Sequence, residues 1–336
     1  RIKCSNSFSR TSSFTMIKQI QNNQSSDMLR IEYMPGNLCN HKCHYCFPGS
    51  NEGDMPWPDI ELIKTNLSHL LTHYESQGKT KSDIFFVGGE PTLWKGLEEL
   101  CLHLKTNHDV LIEMSTNGTR KINWWKTHAP NFDHVGVSVH REFANVPHLI
   151  KVCDELYEQG VFVNADVLMD PDAFEECLDI VSTLKTSKHL WPIVAKIVHF
   201  NGTHRYTEKQ LSYFDDSIKR YPTQEWYDDT AKKPRREVTI TKDDNEIIVV
   251  NSDSWLTRNN LNYFKGWECN LGVDILKIFP NGDITGNCQQ QILGGHNLHD
   301  KNFVNNFNPT IAPVICTKNI CGCNEEIVCN KRKLNV

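Results

Sequence analysis

The stretch that decides the fold is Leu29-Arg30-Ile31-Glu32-Tyr33-Met34, followed closely by Cys39-Asn40-His41-Lys42-Cys43-His44-Tyr45-Cys46. The first run reads as a β-strand and the second as a loop at its end. Three thiolates on one short loop can wrap three irons of a [4Fe–4S] cubane. The fourth iron then has no protein ligand and is open to chelation by the amine and carboxylate of a substrate. Electron-transfer clusters of the ferredoxin type use four cysteines and leave no such opening. The same thiols also admit a structural zinc site that borrows His41 or His44. Zinc knuckles usually place two residues between paired ligands, whereas the spacing here is three and then two.

Outward from this loop, short apolar runs alternate with amphipathic stretches. Further strands are expected at Ile84–Val87, Val110–Met114, Val135–His140, Val161–Leu168 and Ile193–Phe200. Helices are expected at Pro58–Glu75, Leu93–Asn107, Glu142–Gln159, Pro171–Leu184 and Thr207–Arg220, with a weaker segment around Lys121–Lys126. Such alternation implies βαβ units and a parallel sheet. Six units are too few for a closed eight-stranded barrel, so the expectation is a curved, partly open (β/α)6 barrel with its chemistry at the C-terminal strand ends. Before it, residues 1–27 are rich in Ser, Asn and Gln and read as a disordered leader without the apolar run of a secretory signal. After it, 221–264 reads as a polar linker and a hairpin (Glu237–Ile240 with Glu246–Val250), and 265–336 as a small cysteine-rich domain. Within that last segment Asp274–Phe279 and Asp283–Thr285, joined by Pro280-Asn281-Gly282, form a second hairpin.

Candidate ligand-binding residues recur after successive strands. Gly88-Gly89-Glu90-Pro91 follows the second, Ser115-Thr116-Asn117-Gly118 the third, and Ser138-Val139-His140 ends the fourth. Two glycines after a strand also suit a tight turn, and the hydroxyl and amide side chains also suit helix caps or Asx turns.

With these motifs in order, the chain resembles the radical S-adenosylmethionine (SAM) superfamily, whose signature is a Cys-x3-Cys-x2-Cys loop after the first barrel strand. The resemblance implies a partial (β/α)6 radical SAM barrel in which Cys39, Cys43 and Cys46 hold the SAM-binding [4Fe–4S] cluster. It places Tyr45, the aromatic residue before the last cysteine, near the adenine of SAM, and Gly88, Gly89, Glu90 and Pro91 at its amino group. Ser115, Asn117 and Ser138 would line the nucleoside, with Ser138 at the ribose. An ammonium needs acceptors, and glycines let a backbone come close. Members of the family break a C–S bond of SAM reductively and use the 5′-deoxyadenosyl radical to take a hydrogen atom from an unactivated C–H bond. Arg141 and Lys151 are candidates for the SAM carboxylate, and Asn164, Asp166 and His199 for the substrate cavity.

Six of the 13 cysteines lie from Cys269 to Cys329. The run from Cys269 through the second hairpin to Cys288, closed by Cys316, Cys321, Cys323 and Cys329, resembles the twitch domain, a shortened SPASM domain that holds one auxiliary [4Fe–4S] cluster. The resemblance points to Cys269, Cys288, Cys321 and Cys323 as ligands, with Cys316 as the main competitor. A zinc knuckle is the alternative, and a region so small and loop-rich is expected to need a metal staple either way. Cys101, Cys153 and Cys177 fall in helical patterns and read as small buried apolar groups.

The bulk numbers agree. At 336 residues, 39% hydrophobic and 23% charged, the chain can bury a large core. A net charge of −5 argues against a nucleic-acid partner, and no window approaches the roughly 20 apolar residues of a membrane span. The expectation is a cytoplasmic enzyme. It would act on a peptide or small-molecule substrate and draw electrons from a flavodoxin- or ferredoxin-type donor. A branch of the family that helps to make the molybdenum cofactor ends in a diglycine, and Lys333-Leu334-Asn335-Val336 does not match it. The competing readings are a non-catalytic zinc or iron–sulfur module and an RNA-modifying radical SAM enzyme.

Overall fold

Helix α1 (Ile60–Ser76) shows how the sequence builds the scaffold. Asp59 caps it by accepting from the Leu62 amide at 2.9 Å, and Ile63, Leu67, Leu70, Leu71 and Tyr74 form one fully buried stripe. Each such side chain contributes on the order of 1.5–3 kcal/mol through burial. Buried apolar stripes recur in α2 (Leu97–Asn107), α4 (Val146–Glu158), which Asn145 caps, and α5 (Phe174–Leu184), while α3 (Ile122–His128) buries Trp125; α6 (Glu208–Ile218) follows. The computed structural model describes residues 17–22, 26–187, 189–197, 206–218, 238–250, 256, 261–286, 288, 292–321 and 329–334.

Strand β1 (Ile17–Asn22) precedes the six expected strands. These are β2 (Met28–Tyr33), β3 (Lys81–Phe86), β4 (Val110–Thr116), β5 (His134–Val139), β6 (Phe162–Met169) and β7 (Trp191–Lys196), which pair in chain order and all parallel. Their apolar residues, among them Ile31, Ile84, Ile112, Val135 and Val163, join the helix stripes in one core. Covering one sheet face with helices is the barrel arrangement, not the doubly wound one. The other face is polar, with Arg30 in register with Asp83 and Glu113 in register with His134. Cys101, Cys153 and Cys177 are fully buried, as expected.

Two boundaries differ from the sequence reading. Within the expected leader, β1 pairs antiparallel with β8 (Val238–Lys242), so residues 17–22 belong to the fold. Ile17 and Ile20 bury beside Val238, Ile240 and Phe264. The expected break at 265 is also crossed. Strand β11 (Ile275–Ile278) pairs parallel with β2, and β12 (Ile284–Thr285) pairs antiparallel with β11, giving an eight-stranded sheet β12-β11-β2-β3-β4-β5-β6-β7. The hairpin was correctly expected, but it caps the bare edge of β2. The first hairpin, β8 with β9 (Ile247–Val250), joins β1, β10 (Glu268–Cys269), β13 (Val314–Ile315) and β14 (Lys331–Arg332) in a second sheet. The short helix α7 (Phe303–Asn306) lies in the tail, whose neighbouring Leu298 and Asp300 carbonyls accept from Asn66 of α1 at 2.8 and 2.9 Å. The expected linker 221–236, His199 and Cys323 lie outside the described residues.

Candidate active site

Each strand end of the barrel delivers one piece of the site. The stem Gly36–Leu38 leads from β2 into the cysteine loop and lies against Gly88 and Gly89 at the end of β3. There the Gly89 amide donates to the Gly36 carbonyl at 3.2 Å and the Glu90 amide to the Leu38 carbonyl at 2.8 Å. A Cβ on Gly89 would stand 2.2 Å from the Leu38 oxygen, and one on Gly88, at φ +118°, would stand 2.7 Å from the Gly36 oxygen. The close approach that these glycines permit is thus to the chain's own cysteine stem.

Glu90 is buried, and its carboxylate is heavily engaged. Oε1 accepts from the Thr92 amide and hydroxyl at 3.2 and 2.6 Å and from the Thr116 hydroxyl at 2.7 Å, while Oε2 accepts from the Asn117 amide at 2.7 Å. Burial raises its pKa, and the four bonds oppose that shift. Pro91 starts the 3₁₀ turn Pro91–Leu93, capped by Glu90, and is itself buried. Asn117, at the end of β4, donates to Asn40 at 2.8 Å and lies 3.9 Å from the Cys39 sulfur. Ser115 and Ser138 meet across β4 and β5, with hydroxyls 3.2 Å apart.

The loop then crosses the mouth of the barrel, where Cys43, Tyr45 and Ile197 bury together with Cys46 and Leu168 alongside. The Tyr45 hydroxyl lies 3.1 Å from His140 Nδ1, and the two rings stack at 5.9 Å. His140 also meets His41 edge-on at 5.8 Å, and His41 stacks on Phe143 at 4.7 Å. Burial, with His41 beside it, pushes the His140 pKa down to about 4, so this ring is neutral at pH 7. From the sequence, His140 carried no role of its own and His41 only that of a borrowed zinc ligand, since ring contacts between distant segments leave no local signal.

Burial, then Cys46, Glu142 and Cys39, pushes Cys43 up to about 12. Cys39 and Cys46 are raised chiefly by burial, and the His41 amide, 3.4 Å from the Cys39 sulfur, pulls the other way. A buried thiol with two more on the same loop holds its proton unless a cation joins them, which fits all three as ligands of a metal cluster.

The polar sheet face continues below the site. Arg30 pairs with Asp83 and reaches Glu113 at 3.4 Å, and His134 Nε2 lies 2.6 Å from Asn164 Oδ1. Asp166, in register with Ser138, has its carboxyl pushed up to about 6 by burial. Of the two cations considered for the SAM carboxylate, Lys151 is exposed on α4, and Arg141 lies 3.4 Å from Asp170 and 3.1 Å from Glu176.

In the C-terminal set, Cys269 and Cys329 are buried with sulfurs 3.5 Å apart. Cys316 and Cys321 pack beside the second core, and Cys288 beside the first. Cys329 was not among the ligands expected from the sequence, because spacing gives no reason to prefer it.

The loop of three cysteines after the first strand of the parallel half-barrel lies inside a stretch that matches a known family. Residues 33–141 match the model of that family, the radical SAM superfamily, an enzyme class. Among relatives, the chain is 33% identical over 121 residues to the mitochondrial GTP 3′,8-cyclase of Arabidopsis thaliana, a stretch that covers 33% of this chain and 30% of that one. The alignment thus spans less than a third of the cyclase. Among solved structures, the fold is similar to anSMEcpe with bound AdoMet (TM-score 0.52, 16% identity, 84% of this chain and 81% of that one). It is also similar to Streptococcus suis SuiB bound to S-adenosylmethionine (TM-score 0.50, 15% identity, 85% of this chain and 65% of that one). Among the described residues, no helix is long and apolar enough to cross a membrane.

Proposed function

We propose that the chain binds SAM at a [4Fe–4S] cluster held by Cys39, Cys43 and Cys46, cleaves it reductively, and directs the resulting radical at a C–H bond of a peptide or small molecule. The observation that carries this reading is the placement of three thiols on one loop, with its stem bonded to Gly89 and Glu90 and its far end packed over the mouth of a parallel half-barrel. The bound cluster supplies the electron and, at its open iron, the docking point for SAM. The chain's own residues bind and orient. Tyr45, held by His140, flanks the adenine. The backbone of Gly88–Glu90, with the Glu90 charge behind it, meets the ammonium, while Pro91 and Asn117 fix that turn. The Ser115–Ser138 pair meets the ribose.

Two substrate classes are suggested by the names of similar proteins. A structure of anSMEcpe includes the Kp18Cys peptide, and the cyclase is named for GTP. We assign an auxiliary [4Fe–4S] cluster to the C-terminal thiols and a flavodoxin- or ferredoxin-type protein to the role of electron donor. The test is anaerobic purification, iron and sulfide analysis, and detection of 5′-deoxyadenosine after reduction with dithionite. Loss of both cluster and product in Cys39→Ala, Cys43→Ala and Cys46→Ala is the expected result, and SAM cleavage that survives any of them overturns the proposal.

A second reading has one observation in its favour: ligand atoms of His41, Cys43 and His140 lie within 4.8 Å of one another, as in a zinc site. It leaves Cys39 and Cys46 without a role. Zinc without acid-labile sulfide in the anaerobic protein is the result that selects it.

A further inference from the structure

Asp166 stands on β6 in register with Ser138 of β5, on the polar face of the barrel sheet. Val163, Ala165 and Val167 turn the other way into the core, so Asn164 and Asp166 share the polar side with Ser138 and, one strand further, Ser115. We propose that Asp166 binds a protonated amine of the substrate, so that the substrate is cationic at the end that enters the barrel. The inference rests on the SAM reading above, in which Ser115 and Ser138 meet the ribose, and adds a substrate class to it.

Gly136 makes the placement. It lies on β5 between His134 and Ser138, in unbroken register with β4 and β6 and without a left-handed φ, so the backbone itself does not call for glycine. Glycine inside a regular strand weakens it and marks a close approach. What approaches here are two side chains of β6. A Cβ on Gly136 would stand 3.4 Å from Asp166 Oδ2 and 3.7 Å from Asn164 Oδ1. The bare backbone thus lets the carboxylate lean over β5, beside the two serines whose hydroxyls are 3.2 Å apart. Asp166 is only half-buried there, so a ligand can reach it.

Among the described residues, the polar groups that act on this carboxylate are the Asn164 side chain, which donates to it, and the His134 ring. Burial lowers the His134 pKa, so the ring is neutral at pH 7, and its Nε2 lies 2.6 Å from Asn164 Oδ1. Arg30 and Lys277, the cations of this face on β2 and β11, pair with other carboxylates: Arg30 with Asp83 and Glu113, Lys277 with Glu32 at 2.6 Å. A carboxylate shielded from water costs free energy until a cation meets it, and a charge set against folding marks a binding group. An ammonium supplies that charge and three donors, enough for Asp166 and a serine hydroxyl beside it. An anionic group would meet repulsion at the same place.

The experiment uses the full chain reconstituted anaerobically with iron, sulfide and SAM, left unreduced so that no turnover occurs. Equilibrium dialysis compares a lysine tripeptide (glycyl-lysyl-glycine) and glucosamine with their N-acetylated twins, the lysyl amine being the one acetylated in the peptide, and with gluconate as the anionic control. At least one amine is expected to bind about tenfold tighter than its twin. Which pair shows the preference tells whether the amine belongs to a peptide or to a small molecule. Asp166→Asn is expected to lower that preference about tenfold, and Asp166→Glu to keep most of it. A merely structural effect of the substitution weakens both twins and leaves their ratio in place. No preference in either pair, gluconate binding more tightly than glucosamine, or a preference that survives Asp166→Asn overturns the inference. A protein that takes up no cluster or no SAM refutes the reading on which the inference rests, whereas one that holds both yet ignores the charge of the amine refutes the inference alone.

Discussion

At the scale of single residues, the site is a set of polar groups whose protonation follows from where the backbone holds them. Asp166 is the clearest case. Its folded pKa of about 6 lies above the ordinary carboxylate value, so the native state holds this proton more tightly than the unfolded chain. Its contribution to stability is full below about pH 4 and is lost as pH rises towards 6. A rise of that size corresponds to at most ~3 kcal/mol, and water reaching the polar face reduces this to about 1–2 kcal/mol. Asp166→Asn should therefore gain about that much over wild type at pH 7.5 and much less at pH 4.5, measured by urea unfolding. Parallel pH profiles for the two proteins would refute the assignment. Tyr45→Phe removes the hydroxyl contact with His140 while keeping the stacked ring. A loss of about 0.5–1.5 kcal/mol of loop stability is expected. It should appear as a several-fold weaker SAM affinity by equilibrium dialysis, and unaltered affinity counts against a role for this pair.

At the scale of elements, the turn after β3 and the cysteine stem form one unit, because the stem fits only over glycine. Gly89→Ala places a Cβ 2.2 Å from the Leu38 oxygen, a backbone atom that has no side-chain freedom to yield. Gly78→Ala offers a contrast: at φ +93° with open space around it, it carries only the conformational cost, about 1 kcal/mol. Gly89→Ala should lose cluster iron and SAM cleavage while far-ultraviolet circular dichroism persists, and Gly78→Ala should keep both. Equal iron in the two variants would contradict the stem contact. The same elements explain what was legible in the sequence. Strands β2 to β7 were readable because period-two apolar residues and intervening amphipathic helices are local signals, and most of their ends shifted by only a few residues. Strand β1 was not, since Ile17-Lys18-Gln19-Ile20-Gln21-Asn22 carries two apolar residues and its partner β8 lies more than 200 residues away. The cysteine loop, Gly88–Pro91 and the two serines were placed correctly at strand ends. The burial of Lys331 was not legible, because a lysine in a short polar tail reads as solvated until a fold buries it. The alternation Arg30, Glu32 and Asn164, Asp166 was a usable sign of a polar sheet face, since strands buried on both faces lack it.

At the scale of the whole molecule, barrel and tail form one cooperative body, not two modules in series. Strand β11 extends the barrel sheet beside β2, Tyr74 of α1 donates to the Gly272 carbonyl at 2.5 Å, and a single core runs from Leu29 to Cys329. The join is most sensitive at Lys79 and Asp274, which bring the turn after α1 and the tail together at 2.8 Å with both side chains nearly inaccessible. Removing one partner leaves the other charge buried, at a cost of roughly 3–5 kcal/mol. Lys79→Met should thus lower the stability of the whole chain. Were the tail an independent module, the substitution would melt residues 265–336 first and leave the barrel's transition in place. The continuous core predicts instead one transition, shifted to lower denaturant concentration, with tryptophan fluorescence and far-ultraviolet circular dichroism moving together. Trp125, fully buried in the barrel, and Trp267, packed beside the second core, lie in the two regions, so the loss of fluorescence in Trp125→Phe or Trp267→Phe relative to the parent, followed through the transition, reads each one. Two resolved transitions in either background would divide the molecule at the tail and remove the reason for β11 to stand beside β2.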